Sequence, residues 1–199
     1  MAIKFQYNKT SLQHLNKQLK MRLRALPTLQ SKEAALRMEV KRAKDQSEVL
    51  LRKLEKQMKE YEDMVRLWGE FEEDLITVKD VKMSFKKIAG VKTPILDDVI
   101  FEIKDFSLFN KPSWFLGGVQ IIKSLVKISI ESDFFLRKME LLDYARKKTT
   151  QKVNLYEKVQ IPGYEEAISK IKRFLEDEEN LSKSAQKIVK KRQQDKEAA

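Results

Sequence analysis

Two long stretches of this chain place an apolar residue at every third or fourth position, and almost nothing interrupts them. In the first, Leu12, Leu15 and Leu19 are followed by Leu36, Val40 and Ala43, then by Leu50, Leu54, Met58, Tyr61, Val65, Trp68, Phe71 and Leu75. In the second, Ile121, Leu125, Ile128, Ser132, Phe135, Met139, Leu142, Thr149, Val153 and Tyr156 keep the same spacing. It breaks at Ile161-Pro162-Gly163, resumes as Tyr164, Ile168, Ile171 and Leu175, and thins to Leu181 and Ile188. Steps alternating between three and four residues hold the apolar side chains on one narrow stripe. Sustained over many turns, that pattern selects a coiled coil over a globular helix. The residues between are mostly Lys, Arg, Glu and Gln, good helix formers with a solvated face. Five Gly and four Pro in 199 residues leave little material for loops.

The spacing therefore predicts a mainly α protein, a long antiparallel two-helix coiled coil with a small β-hairpin-containing middle region. Three parts follow: an N-terminal coiled-coil arm over 1–75, a hairpin and aromatic turn over 76–118, and a C-terminal arm over 119–199. In the middle, Val81-Lys82-Met83-Ser84-Phe85 alternates apolar and polar like a half-buried strand, and Ile95–Ile103 is a second β-like run. Gly90 and Pro94 punctuate the segment between them, a connection longer than a tight two-residue turn. The stretch FSLFNKPSWFLGG then gathers Phe106, Phe109, Trp114 and Phe115 with a proline and two glycines, more apolar surface than a bare reversal needs. Pro27 and Pro162 are expected to break or kink the two arms, because proline removes a helical hydrogen bond. A first arm of ~65 residues at ~1.5 Å each is ~100 Å long. The expected product is a rod with both chain ends at one tip and a small side domain.

Charge is concentrated at that expected tip. The net charge is +11, but residues 1–24 carry six bases and no acid, and residues 182–199 carry six bases and two acids. The body between them is close to neutral. The basic ends favour an anionic partner, and basic tails of this kind could also serve a nucleic acid. Zero cysteines exclude a thiol nucleophile, disulfides and cysteine-based metal sites. The lone His14, beside the seam residues Leu12 and Leu15, reads as a flanking packing or surface residue. No apolar run is long enough to cross a bilayer, and the start MAIKFQYNKT lacks the apolar core of a secretory signal, so a soluble intracellular protein is expected.

Catalytic patterns are missing. Gly117-Gly118 is followed by Val-Gln rather than by the lysine of a phosphate loop, and no dinucleotide, zinc-protease or nucleophile-elbow motif occurs. The carboxylate groups Asp97/Asp98, Glu165/Glu166 and Glu72/Glu73/Asp74, and the run Glu176–Glu179, read as solvated surface in a chain this charged. No catalytic residue, cofactor or metal is expected. A coiled-coil scaffold or nucleic-acid-associated protein with basic tails is the competing reading, and an unorthodox enzyme site on the β-containing middle is a third.

Several stretches resemble one family in order along essentially the whole chain. The opening I-K-F-Q-Y-N-K-T-S-L-Q-x-L with its heptad arm resembles the D subunit of the V-type/A-type rotary ATPases, also called V-type ATP synthases. So do Ala89-Gly90-Val91 with Pro94, and the run from Ala145 through Arg146, Lys147, Lys148, Lys152 and Asn154 into LYEKVQIPGYEEAISKIKRFLEDEE. Two departures, Leu155-Tyr156 in place of the commoner Ala-Leu and Gly163 in place of a frequent basic residue, fall at the helix break. The resemblance implies a non-catalytic central-stalk rotor component. It would pass torque between the catalytic A/B hexamer, entered by the terminal end, and a cup-shaped subunit on the membrane ion-translocating ring. The smaller F subunit would dock near the hairpin. It implies a cytoplasmic protein peripheral to the membrane, with no nucleic acid and no membrane insertion.

Under that resemblance the expected protein-interaction residues are Val91 and Pro94 on the hairpin, Phe109, Trp114 and Phe115 at the foot, and Arg146, Lys147, Lys148, Lys152 and Asn154 on the second arm. Pro27 and Pro162, in opposite arms, are expected to share one bend that makes the shaft eccentric.

Overall fold

A computed structural model describes residues 3–62, 69, 75–105, 109 and 111–197, with side chains through 195. The seam residues Val65, Trp68 and Phe71, the acidic Glu72-Glu73-Asp74 and the aromatic Phe106 lie outside the described residues. The elements in chain order are helix α1 (Lys9–Glu60), strands β1 (Ile76–Ile88) and β2 (Val91–Ile103), helix α2 (Phe115–Leu155), a π-helical turn (Tyr156–Gln160) and helix α3 (Ile161–Glu197). The chain divides into two compact units, residues 1–31 with 149–199, and residues 32–148.

In the first unit, α1 begins with a cap built by its own sequence. The Ser11 N–H donates to Asn8 Oδ1 at 2.6 Å, and Ser11 Oγ accepts from the Gln6 N–H at 3.3 Å. The first bond satisfies a donor that the first helical turn leaves open, and the second ties the preceding segment to that turn. The seam is as the spacing requires. Leu15, Ala167, Ile168 and Ile171 are buried together, with Leu12, Leu19, Tyr164 and Leu175 packed against them. A fully buried Leu or Ile is worth about 1.5–3 kcal/mol, so this short cluster dominates the pairing. Arg22 meets Gln160 while Leu15 meets Ile168, so position rises on α1 as it falls on its partner, and the pair is antiparallel.

Neither proline ends a helix. Pro27 lies inside α1, which is assigned continuously from Lys9 to Glu60, so the expected break there is corrected to a proline carried within the helix. In the second arm the irregularity precedes Pro162: Tyr156–Gln160 form the π turn, and the Ile161 N–H donates to the Tyr156 carbonyl, five residues back. Two constraints place it there. Pro162 has no N–H to give to the carbonyl four residues earlier, that of Lys158, and its ring crowds that carbonyl. The seam also steps by five, from Tyr156 to the buried Ile161, and a wider turn absorbs the one extra residue. The Arg22–Gln160 hydrogen bond sets Pro162 near the height of residue 20, about two helical turns from Pro27.

In the second unit, Leu36, Ala43, Ile128 and Leu142 are buried seam residues. Ser47 and Ser132 are each 1% exposed, and their hydroxyls lie 3.3 Å apart. Met58, placed on the seam by its spacing, is exposed, and so are Leu181 and Ile188 near the end of α3. The hairpin is longer and tighter than its sequence suggests. Each strand has 13 residues, and Ile88 pairs directly with Val91 across Ala89 and Gly90. Both turn residues have positive φ, 48° and 79°, the mirror-image turn whose twist suits antiparallel strands. The longer connection expected from Gly90 and Pro94 is thus corrected. Pro94 sits within β2 opposite Phe85, tolerated because both strands of a two-stranded sheet are edges. Register shifts at Val78/Asp80 and Lys82/Met83 leave Lys79 and Asp97 as extra residues on opposite strands.

The hairpin lies against the helices of its own unit. Lys32 Nζ stands 3.6 Å from where a Cβ on Gly90 would be, Asp98 pairs with Lys127 at 3.9 Å, and Pro94 lines a cavity with Gln46, Phe134 and Phe135. At the other end, Leu75, Phe115 and Val119 form a buried cluster with Ile76 and Trp114 against it. Phe115 is 1% exposed whereas Phe109 is fully exposed. Phe115→Ala is therefore expected to destabilise the protein by about 3–5 kcal/mol, and Phe109→Ala to leave stability within about 0.5 kcal/mol of wild type. Denaturant unfolding of the two variants checks this; equal losses would remove Phe115 from the core.

Candidate protein-interaction surface

The expected interaction residues separate into several groups. Val91 and Pro94 are half-buried on β2. Pro94, Gln46, Leu96, Glu131, Phe135 and Lys138 face a cavity of about 330 Å³ between the hairpin and the two helices. The hairpin carries exposed apolar side chains, Val78, Met83 and Phe85 on β1 and Ile95 and Ile103 on β2. A solvated ribbon rarely shows this much apolar surface without a partner.

At the start of α2, Trp114 and Phe115 are joined by an edge-to-face ring contact at 5.8 Å, and Lys111 Nζ stands 5.0 Å from the Phe115 ring. Phe115 is core, so of the three aromatic candidates only Phe109 offers a whole ring to solvent, with Trp114 half-buried.

The basic candidates on α2 are less free than their sequence suggests. Arg146 Nη2 lies 2.7 Å and Lys147 Nζ 3.0 Å from the carboxylate of Asp143, an acid that residue type and spacing did not single out. The Lys147 ammonium and, next, the Arg146 guanidinium hold the Asp143 carboxyl below its ordinary pKa. Lys148 Nζ sits 5.1 Å from the centroid of the exposed Tyr144 ring, a cation–π contact. Lys152 and Asn154 are exposed and belong to the other unit, so the structure does not gather all five residues of this stretch into one group.

Two further features belong to the first unit. From Glu176 through Asp195 every residue of α3 is exposed. After the acidic run Glu176–Glu179, residues 181–195 carry Leu181, Ile188 and Val189 among Lys183, Lys187, Lys190, Lys191 and Arg192, with Asp195 as the one acid. A helix with bare apolar residues and a surplus of bases is suited to an apolar, acidic-lined receptor. The second feature is Arg22. Its Nε donates to Gln160 Oε1 at 2.6 Å, and its Nη1 donates to Gln18 Oε1 at 2.7 Å and to the Gln18 carbonyl at 3.1 Å. Its guanidinium carbon lies 4.5 Å from the Tyr164 ring and 5.9 Å from that of Tyr156. A planar cation with five donors can serve two helices and two rings at once, which a lysine cannot. Sequence reasoning counted Arg22 only as part of the basic end; its spacing of four from Gln18 was the available signal.

Among the described residues no helix is long and apolar enough to cross a membrane, and no group of three or more His, Cys, Asp or Glu could hold a metal ion.

Comparison with known proteins gives a consistent result. The sequence model of the family described as the ATP synthase D subunit matches residues 11–191. The chain is 32% identical over 190 residues to the V-type ATP synthase D subunit of Borreliella burgdorferi, covering 94% of each chain. It is 27% identical over 203 residues to the protein of the same name from Chlamydia trachomatis, covering 99% of this chain and 100% of that one. The counterpart in Chlamydia pneumoniae is 28% identical over 202 residues, covering 96% of this chain and 94% of the relative.

The Asp143 cluster carries a pH signature. Its folded-state pKa is lowered, so its stabilising contribution is present above the unfolded value of about 3.9 and is lost as pH falls through the folded one. Asp143→Asn is expected to cost about 0.5–1 kcal/mol at pH 7 and nothing relative to wild type once the wild-type Asp143 carboxyl is fully protonated. Denaturant titrations at neutral and strongly acidic pH check it; an equal loss at both would assign the cost to packing.

Proposed function

The chain belongs to the ATP synthase D-subunit family, and on that premise we propose that it is the rotor shaft of a V-type ATP synthase. In this reading it carries torque between the catalytic A/B hexamer and a cup-shaped subunit on the membrane ion-translocating ring, and performs no catalysis itself. It would sit on the cytoplasmic side as a peripheral part of the complex. The observation that supports this best is the antiparallel pairing of α1 with α3 and its continuation as an exposed basic helix. Side-chain packing along a seam resists the twisting of one helix about the other, as a shaft requires. The bare end of α3, residues 181–195, has the apolar and cationic character of a segment that ends inside a partner. That end is assigned to the bore of the hexamer.

The hairpin and the second-unit helices are assigned to the smaller F subunit, whose surface would cover Val78, Met83 and Phe85 and the cavity beside Pro94. The exposed ring of Phe109, near the start of α2, is assigned to the foot that meets the cup-shaped subunit. Phe115, buried in the cluster beneath, would support that foot from within.

Co-purification with a tagged chain separates the assignments. Full-length protein is expected to bring down both the A/B hexamer and the F subunit. A chain ending at Asn180 should lose at least about tenfold in hexamer affinity, since more than 1.4 kcal/mol of contact goes with the tail, and should keep the F subunit. Met83→Asp with Phe85→Asp should do the reverse. Undiminished hexamer binding by the truncated chain would remove the tail from the bore. Salt-sensitive DNA binding by the same tail, with no hexamer captured, would instead favour the nucleic-acid reading of the basic ends.

A further inference from the structure

The π turn has a neighbour that no part of the rotor reading uses. Ahead of α1, residues 3–8 run back along α3. The Ile3 side chain lies at Gly163, where a Cβ added to the glycine would come within 3.2 Å of Ile3 Cδ1 and 3.7 Å of its Cγ1. Ile3 and Phe5 both pack on the buried cluster of Leu15, Ala167, Ile168 and Ile171. The Tyr7 ring then reaches Phe174 at 4.8 Å, and Phe5 and Tyr7 meet edge-to-face at 5.4 Å. Between Ile3 and Tyr7 the segment therefore climbs from Gly163 to Phe174. Eleven helical residues rise about 16 Å, and four extended residues cover about 14 Å, so the segment is close to fully stretched. Asn8 then turns the chain, and α1 descends the same helix in the opposite direction.

Gly163 is open to Ile3 because it has no side chain, and it directly follows Pro162, one turn beyond the π turn. The notch and the irregular turn are thus one local feature. The π turn itself has no buried residue, and its Ile161-to-Tyr156 bond is of the wide five-residue kind. Such a turn belongs to the less stable end of a helix unless something fixes it. One side chain touches it and another packs just beyond it. Arg22 ties Gln160 and Tyr156 to α1, and Ile3 fills the notch on the far side of Pro162. The segment's own hydrogen bonds are local, Asn8 N–H to the Gln6 carbonyl and Gln6 N–H to Ser11, while apolar contacts from Ile3, Phe5 and Tyr7 attach it to α3. Contacts of that kind can be released without dismantling the helix pair.

We propose that residues 3–8 are a clip that locks the π turn. With Ile3 seated at Gly163, Tyr156–Gln160 is held in its wide turn and the helix axis is fixed about Pro162. With Ile3 withdrawn, Arg22 alone holds the turn, and the helix gains freedom to bend at that point. The device is a property of this chain by itself and does not rest on the rotor assignment.

The chain contains no cysteine, so Ile3→Cys with Gly163→Cys introduces one unambiguous pair. Amide hydrogen exchange is compared between its oxidised and reduced forms, at residues 157–161. The oxidised form is expected to exchange about tenfold more slowly there than the reduced form. Ile3→Ala in the otherwise unchanged chain should exchange about tenfold faster than wild type. Amides of β1 and β2, in the other unit, serve as the control and should not respond. Equal exchange in the oxidised and reduced forms would overturn the proposal, as would failure of the pair to oxidise, which would show that Ile3 does not occupy the notch. Should Ile3→Ala speed exchange in the hairpin as well, its effect is global, and the cysteine pair, which compares one polypeptide with itself, decides.

Discussion

Two helices that share only a stripe of side chains must keep those stripes facing each other along their whole contact. A residue out of phase on either helix turns the apolar face toward water, and no surrounding layers compensate. Most of this structure follows from that phase constraint. Leu15, Ile168 and Ile171 satisfy it with ordinary three- and four-residue steps. The step of five between Tyr156 and Ile161 would swing every later seam residue by more than a third of a turn in a regular helix. The π turn removes that error, and Pro162, which deprives the preceding backbone of one hydrogen bond, determines where the correction is cheapest. Arg22 then holds the widened turn against α1 through one hydrogen bond and two aromatic faces.

The second unit solves the same problem with smaller groups. Ser47 and Ser132 occupy the seam where larger apolar residues would ordinarily stand, and each hydroxyl is matched by the other. Small side chains let two helices approach closely, and the paired hydroxyls avoid the cost of burying an unsatisfied polar group. Beside them the hairpin supplies the apolar cover that the seam itself does not. Thr93 and Val99 on β2 are buried, and the Thr93 hydroxyl donates to the Lys86 carbonyl at 2.9 Å.

The sequence carried the large features well, because heptad spacing and the scarcity of glycine and proline act over many residues. The two helical arms, the hairpin between them and the buried seam positions Leu36, Ala43, Leu142, Ile168 and Ile171 all follow from periodicity. Features governed by one or two residues were harder to read. Pro27 lies within a continuous helix whose seam is buried before it at Leu15 and after it at Leu36, whereas Pro162 coincides with a phase error and gives a π turn. Ala89 at positive φ concealed the tight hairpin turn, because alanine rarely takes that conformation. Phe115 and Trp114 were adjacent aromatic candidates, but the first turn of α2 points Phe115 into the core and leaves Trp114 at its margin. Of the basic stretch, Arg146 and Lys147 belong to a cluster centred on Asp143, which residue type alone did not distinguish from surface charge.

The hairpin's strand edges bear on how the chain behaves while it waits for partners. An unpaired ribbon with apolar side chains is ordinarily a template on which other chains add strands. Here β1 exposes Lys79, Lys82, Lys86 and Lys87, β2 contains Pro94, and the two register shifts twist the ribbon unevenly on opposite strands. A second strand laid along β1 would bring like charges together, and one laid along β2 would meet a missing donor. The same apolar side chains that make the ribbon adhesive through its face are thus carried on a backbone that resists polymerising through its edges. A chain made in excess of its complex can keep a sticky surface without becoming the seed of a fibre.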